Sequence, residues 1–123
     1  MNELSEVEVV VREGVPVVRI RGEIDLSNVG ATLRSIEAAV DESAPGLVVD
    51  LRELEFLDSA GVRLLFEAAR LVTSAGGRFV ALVSPGSPAV RVLELAEARS
   101  LFPLEETEAD AVRAASAAPA ADQ

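Results

Sequence analysis

The sequence predicts an α/β protein, with a mixed, mostly parallel sheet that starts with an antiparallel hairpin and is flanked by about four helices. Three observations lead there. Two alternating strand patterns stand either side of a turn near the start, and short apolar runs then alternate with helical periodicity. Half of the 123 residues are apolar, enough to cover such a sheet. The only aromatic residues are four Phe, so packing must rest on Val, Leu, Ile and Ala. One domain over residues 1–115 is expected, followed by an Ala-rich tail over 116–123 that frays.

Taken in order, Val7, Val9 and Val11 alternate with Glu8, Val10 and Arg12, and Val18 and Ile20 alternate with Arg19 and Arg21. Glu13-Gly14-Val15-Pro16 separates the two as a turn, with Pro16 near a strand start where its missing N–H does least harm. After Gly22-Glu23-Ile24-Asp25-Leu26, Ser27 is the expected N-cap of a helix carrying Val29, Leu33, Ile36 and Val40 on its inner side. Pro45-Gly46 is expected to end it, and Leu47-Val48-Val49-Asp50-Leu51 reads as a strand covered on both faces. A short loop then leads to a second helix, beginning near Ser59.

That helix places Val62, Leu65, Phe66, Ala69 and Val72 inward and Arg63, Glu67, Arg70 and Ser74 outward. Leu64, Ala68 and Leu71 widen the apolar arc, either as further core or as part of a docking face. Gly76-Gly77 supplies a stop, and Arg78 to Val83 reads as another buried strand. Ser87-Pro88 starts a short helix, with Ser87 capping and Pro88 in the first turn. Leu101-Phe102-Pro103-Leu104 is apolar but too short to assign. Thr107 and Asp110 form a capping box for a last helix through Ala111, Val112 and Ala115.

Charge and composition narrow the function. A formal net charge of −10 repels nucleic acid and anionic membranes, and the basic residues are all arginine, scattered singly. No apolar run approaches the ~20 residues that span a bilayer. Neither nucleic acid nor membrane is an expected partner, whereas a basic patch on another protein would be attractive. The absence of Cys removes disulfides, Fe–S clusters and thiolate zinc sites and fits a reducing compartment. Met1-Asn2-Glu3-Leu4-Ser5-Glu6 lacks the basic start and apolar core of a secretory signal, so a cytoplasmic protein is expected, as a monomer or weak dimer.

The chemistry centres on Leu57-Asp58-Ser59-Ala60-Gly61, which places one serine at a strand-to-helix corner. Ser59 is either a helix cap or a modified hydroxyl. It is not a catalytic nucleophile, because the chain has no His, Lys or Cys to activate it and no Gly-x-Ser-x-Gly elbow. A P-loop needs a lysine that is absent, and no cofactor is expected. Gly61 costs about 1 kcal/mol relative to Ala in a helix, which implies a close approach to its backbone. Glu23, Asp25, Asp50 and Asp58 could offer oxygen to a hard cation, but capping and strand-exit polarity explain them better, so no metal is expected.

Phe56-Leu57-Asp58-Ser59-Ala60-Gly61-Val62 resembles the corresponding element of the STAS domain, and within that family the bacterial anti-sigma factor antagonists. Gly22-Glu23-Ile24-Asp25, Leu47 to Leu51, Gly76-Gly77 and Leu101 to Leu104 match as well, so the resemblance spans about Val7 to Ala115 and implies a STAS-like fold. It implies that Ser59 is phosphorylated by a partner anti-sigma factor that is also an ATP-binding serine kinase. Unmodified antagonist binds that kinase and frees the sigma factor; phosphorylated antagonist lets go, and a PP2C-type, metal-dependent phosphatase resets it. Asp58 matches the acidic neighbour of the phosphosite, and Asp25 the carboxylate of the Gly-Glu-x-Asp turn. The expected partner-binding set is Asp25, Asp58, Ser59, Ala60, Gly61, Arg63 and Leu64. Many relatives carry Ser or Thr where Ala60 stands, which leaves a single acceptor here. The alternative is a non-switching STAS interaction module of a stress-signalling or lipid-transport assembly; an enzyme is not expected.

Overall fold

Residues 5–117 are described by a computed structural model. Strands β1 (Ser5–Arg12) and β2 (Val15–Ile24) form the antiparallel hairpin, closed by the Arg12 and Val15 pair. Only Glu13 and Gly14 turn, both with positive φ (53° and 81°), the two-residue geometry whose twist matches a hairpin. The turn is therefore tighter than the four residues expected from sequence. Val15 and Pro16 belong to β2, and Pro16 precedes Val17, where the ladder to the next strand begins, so its missing N–H breaks no bond there.

The remaining strands run parallel to β2. They are β3 (Gly46–Asp50), β4 (Leu54–Leu57), β5 (Arg78–Leu82) and β6 (Leu104–Glu105), in the order β1-β2-β3-β5-β6, with β4 pairing the C-terminal part of β2 beyond a register shift at Gly22/Glu23. β4 replaces the loop expected between Leu51 and Ser59. Its four residues bury Leu54 and Leu57 and expose Glu55 and Phe56, so it carries no alternation to read.

Alternation along β2, β3 and β5 divides the core. Val18 and Ile20, Leu47 and Val49, and Phe79 and Ala81 face one side; Val15 and Val17, Val48, and Val80 and Leu82 face the other. The first side is covered by α1 (Val29–Ala39), α2 (Ser59–Ser74) and α3 (Pro88–Leu95), the second by α4 (Glu108–Ser116) through Ala111, Val112 and Ala115. On the three-helix side Phe102 meets Phe79 and Phe66 edge-on at 4.9 and 6.1 Å between centroids, a favoured aromatic geometry.

Several helix ends follow the sequence. Ser87 Oγ accepts from the Val90 N–H (3.3 Å) with Pro88 opening α3, and Thr107 Oγ1 accepts from the Asp110 N–H (3.1 Å) to open α4. α1 ends earlier than Pro45-Gly46, at Ala39, because Asp41 accepts from both the N–H and the hydroxyl of Ser43 and forms its own turn. α4 runs through Ser116, whose hydroxyl donates to the Val112 carbonyl (2.8 Å). Residues 118–123 of the tail expected to fray lie outside the described residues.

Candidate functional site

β2 and β4 leave the sheet in step. Their last pair is Ile24 with Leu57, so the next residues, Asp25 and Asp58, start two neighbouring corners at the carboxyl edge, joined by the Asp58 N–H to the Ile24 carbonyl (3.3 Å). At the first corner Asp25 Oδ1 accepts from the Ser27 N–H (2.9 Å) and hydroxyl (2.6 Å). Asn28 accepts from the Asp25 N–H (3.0 Å) and donates to the Glu23 carbonyl (2.8 Å). Asn28, not Ser27, occupies the N-cap position of α1; the Ser27 hydroxyl is engaged by Asp25 instead.

At the second corner Asp58 is the N-cap of α2, extended in backbone, with Oδ1 accepting from the Gly61 N–H (3.0 Å). Such a cap stabilises a helix by about 1 kcal/mol. Ser59 is therefore the first helical residue and not the cap. Its side chain is exposed, and the hydroxyl has no hydrogen-bond partner among the described residues. Asp58 and Ala60 on either side are half-buried.

The close approach expected at Gly61 is made by the chain itself. A Cβ there would run into Leu57 Cδ1 and come within 3.0 Å of Ile24 Cγ2, so glycine lets the first turn of α2 seat on β2 and β4 without displacing those side chains. Leu64 is 3 % exposed and Ala68 fully buried, which makes them core, whereas Leu71 is 40 % exposed. Of the expected partner-binding set, Ser59 and Arg63 are exposed, Asp25, Asp58 and Ala60 are half-buried, and Gly61 and Leu64 lie beneath.

Ser59 stands at the lip of an open groove of about 510 Å³ between α1 and α2. One wall carries Leu26, Val29, Gly30 and Leu33; the other carries Asp58, Ser59, Ala60, Arg63 and Glu67, with Leu64 at the base. Leu26 is 77 % exposed, an apolar side chain held out at the mouth. The Arg34 guanidinium lies along α1 close to Gly30, where a Cβ would sit 3.5 Å from its Nη1. The α1 wall is missing from the sequence reading, which assigned Val29 and Leu33 wholly to the core and gave Leu26 no role. The available signal was Leu26 itself, apolar yet outside the helical stripe.

Of the acidic residues considered for a cation, Asp25 and Asp58 start the neighbouring corners, but Asp50 lies away from them. Asp50 is on the α4 side, 5 % exposed, held by Arg52 through Nε (3.0 Å) and Nη2 (2.9 Å) and approached by Arg19 (3.6 Å). That carboxylate holds the Arg52 guanidinium charged more firmly than usual. Among the described residues no group of three or more His, Cys, Asp or Glu could hold a metal ion, and no helix is long and apolar enough to cross a membrane.

Comparison with known proteins gives a match to the STAS domain model over residues 6–111. An anti-sigma F factor antagonist of Paenibacillus polymyxa is 24 % identical over 108 residues, covering 87 % of this chain and 92 % of its own. The crystal structure of an anti-sigma factor antagonist from Mycobacterium paratuberculosis superposes with a TM-score of 0.81 at 33 % identity, over 90 % of this chain and 93 % of that one. The anti-sigma factor antagonist SpoIIAA in its unphosphorylated form shares the fold, with a TM-score of 0.70 at 23 % identity over 87 % of this chain and 93 % of that one.

Proposed function

The chain belongs to the STAS domain family, and from that premise we propose that it is an anti-sigma factor antagonist whose docking on an anti-sigma factor serine kinase is switched off by phosphorylation of Ser59. One observation carries the reading. The Ser59 oxygen is exposed, without a hydrogen bond among the described residues, at the lip of the groove because its neighbour Asp58 does the capping. A hydroxyl so placed can be modified without taking anything from the fold.

In the proposed reaction the Ser59 Oγ–P bond forms as the bond between the γ-phosphorus of ATP and the ADP oxygen breaks. The hydroxyl proton passes to a base on the kinase. The docking surface is Asp58, Ser59, Ala60 and Arg63 with Leu26 opposite, supported by Asp25 at the turn and by Gly61 and Leu64 from beneath. Phosphate adds about −1.5 to −2 charges beside the first turn of α2, where the helix dipole gains at most ~2 kcal/mol from it. Burying that dianion unpaired under a partner costs several kcal/mol. A net penalty near 4 kcal/mol is about a thousandfold in affinity. Hydrolysis by a PP2C-type phosphatase restores the binding form.

Incubation with the cognate kinase and ATP, followed by mass spectrometry, tests this: wild type gains one phosphate on Ser59 and Ser59→Ala gains none. Modification at another residue overturns the assignment. Equal kinase affinity for wild type and Ser59→Glu would leave a non-switching interaction module in its place.

A further inference from the structure

Arg63 lies four residues after Ser59 on α2, the spacing that brings two side chains together on one helix face, and both line the groove. Arg63 is exposed and makes no ion pair among the described residues. Glu67, one further turn along and also on the groove, leaves it unpaired. Among the described residues no other cation lines the groove; Arg34 on α1, beside Gly30, likewise has no carboxylate among the described residues. By contrast Arg12, Arg19, Arg21, Arg52, Arg99 and Arg113 each sit on an Asp or Glu, and Arg70, Arg78 and Arg91, which also have no carboxylate among the described residues, do not line the groove. Acidic residues outnumber basic ones 21 to 11, so an arginine beside Ser59 with no carboxylate on it has its donors open to a new anion.

Resting on the reading of Ser59 as the phosphoacceptor, we infer that Arg63 is the internal partner of the phosphate: once Ser59 is modified, the Arg63 guanidinium closes over the phosphate oxygens. The planar fork of a guanidinium meets two such oxygens at once, which an ammonium cannot do. Asp58, the nearest carboxylate in sequence, opposes the new charge but stays committed to the Gly61 N–H. The modification thereby acts twice on the docking surface. It adds a dianion that a single guanidinium neutralises only in part, so a net negative charge is still left to bury, and it withdraws the arginine that a partner carboxylate would otherwise reach.

The test uses the full chain with phosphoserine encoded at position 59, so no kinase is needed, and follows the second ionisation of the phosphate by phosphorus NMR in wild type, Arg63→Gln and Arg70→Gln. Arg70 is an exposed arginine of the same helix that does not line the groove. Asp58, Glu67 and Arg34 are common to all three proteins, so their fields cancel in the comparison. The expected result is a phosphate that ionises about 0.2–0.4 pH unit lower in wild type than in Arg63→Gln, with Arg70→Gln indistinguishable from wild type. Identical titration of wild type and Arg63→Gln overturns the inference, as does an equal displacement in Arg70→Gln. Failure of the phosphoacceptor reading would appear elsewhere, as a kinase that leaves Ser59 unmodified while the encoded phosphoserine still reports on Arg63.

Discussion

Asp58 and Ser59 divide between them two tasks that a single serine could have combined. Because the Asp58 carboxylate bonds the Gly61 N–H, Asp58→Ala should lower stability by about 1 kcal/mol, whereas Ser59→Ala should leave it within about 0.5 kcal/mol; urea unfolding followed by circular dichroism distinguishes them. Gly61→Ala is a different kind of change. Its methyl group meets Leu57 and Ile24, and overpacking of that sort costs about 1–3 kcal/mol. The same urea experiment should show it as more damaging than loss of the cap, although Ala is the better helix former. Asp50 belongs with these local cases. It is buried yet bonded by Arg52, so Asp50→Ala should cost about 1–3 kcal/mol, moderated because both arginines around it can turn to solvent.

The elements that could be read from sequence are those whose signals are local. Ser87-Pro88 and Thr107 announce α3 and α4 through their own side chains, and the valines of β1 and β2 alternate visibly. What could not be read depends on partners distant in sequence. β4 exists because Gly22, Glu23 and Ile24 accept it as a neighbour, and no pattern within Leu54 to Leu57 encodes that pairing. Ser27 looked like a cap, but Asp25 holds its hydroxyl and Asn28 sits at the helix start. The place of Ser59 at the start of α2 was legible, but its release from capping by Asp58 and the strand β4 before it were not; nor was the α1 wall of its groove, since exposure of Leu26 follows from how α1 lies against α2. α4 offers an element-scale experiment. Arg113 and Thr107 hydrogen-bond the Asp110 carboxyl and hold it below its ordinary value, and Ser43 does the same for Asp41. A depressed carboxyl contributes stability above its unfolded pKa and loses it as pH falls through the folded one. The urea midpoint should therefore drop as pH is taken from 5 to about 3, and part of that drop should vanish in Asp110→Asn.

Across the whole molecule the sheet separates two independent surfaces. The three-helix side carries the groove, and the α4 side carries Asp50, Arg52, Arg19 and Glu108 in one charged network. Ala115, fully buried on the α4 side, gives α4 its close seat, so Ala115→Leu should destabilise by about 1–3 kcal/mol. Combined with Ser59→Glu its effect should add within about 0.5 kcal/mol, because the two positions share no packing partners; a double-mutant cycle in urea measures the sum. With a net charge of −10, association with a basic partner should slow as salt rises, which stopped-flow mixing would record as a falling on-rate.

The capping of α2 by Asp58 has a practical side. Position 59 can accept a foreign side chain at little structural expense, and the chain has no native thiol. Ser59→Cys would thus carry a single maleimide dye at the groove mouth, whose emission would register each arrival of a binding partner in real time.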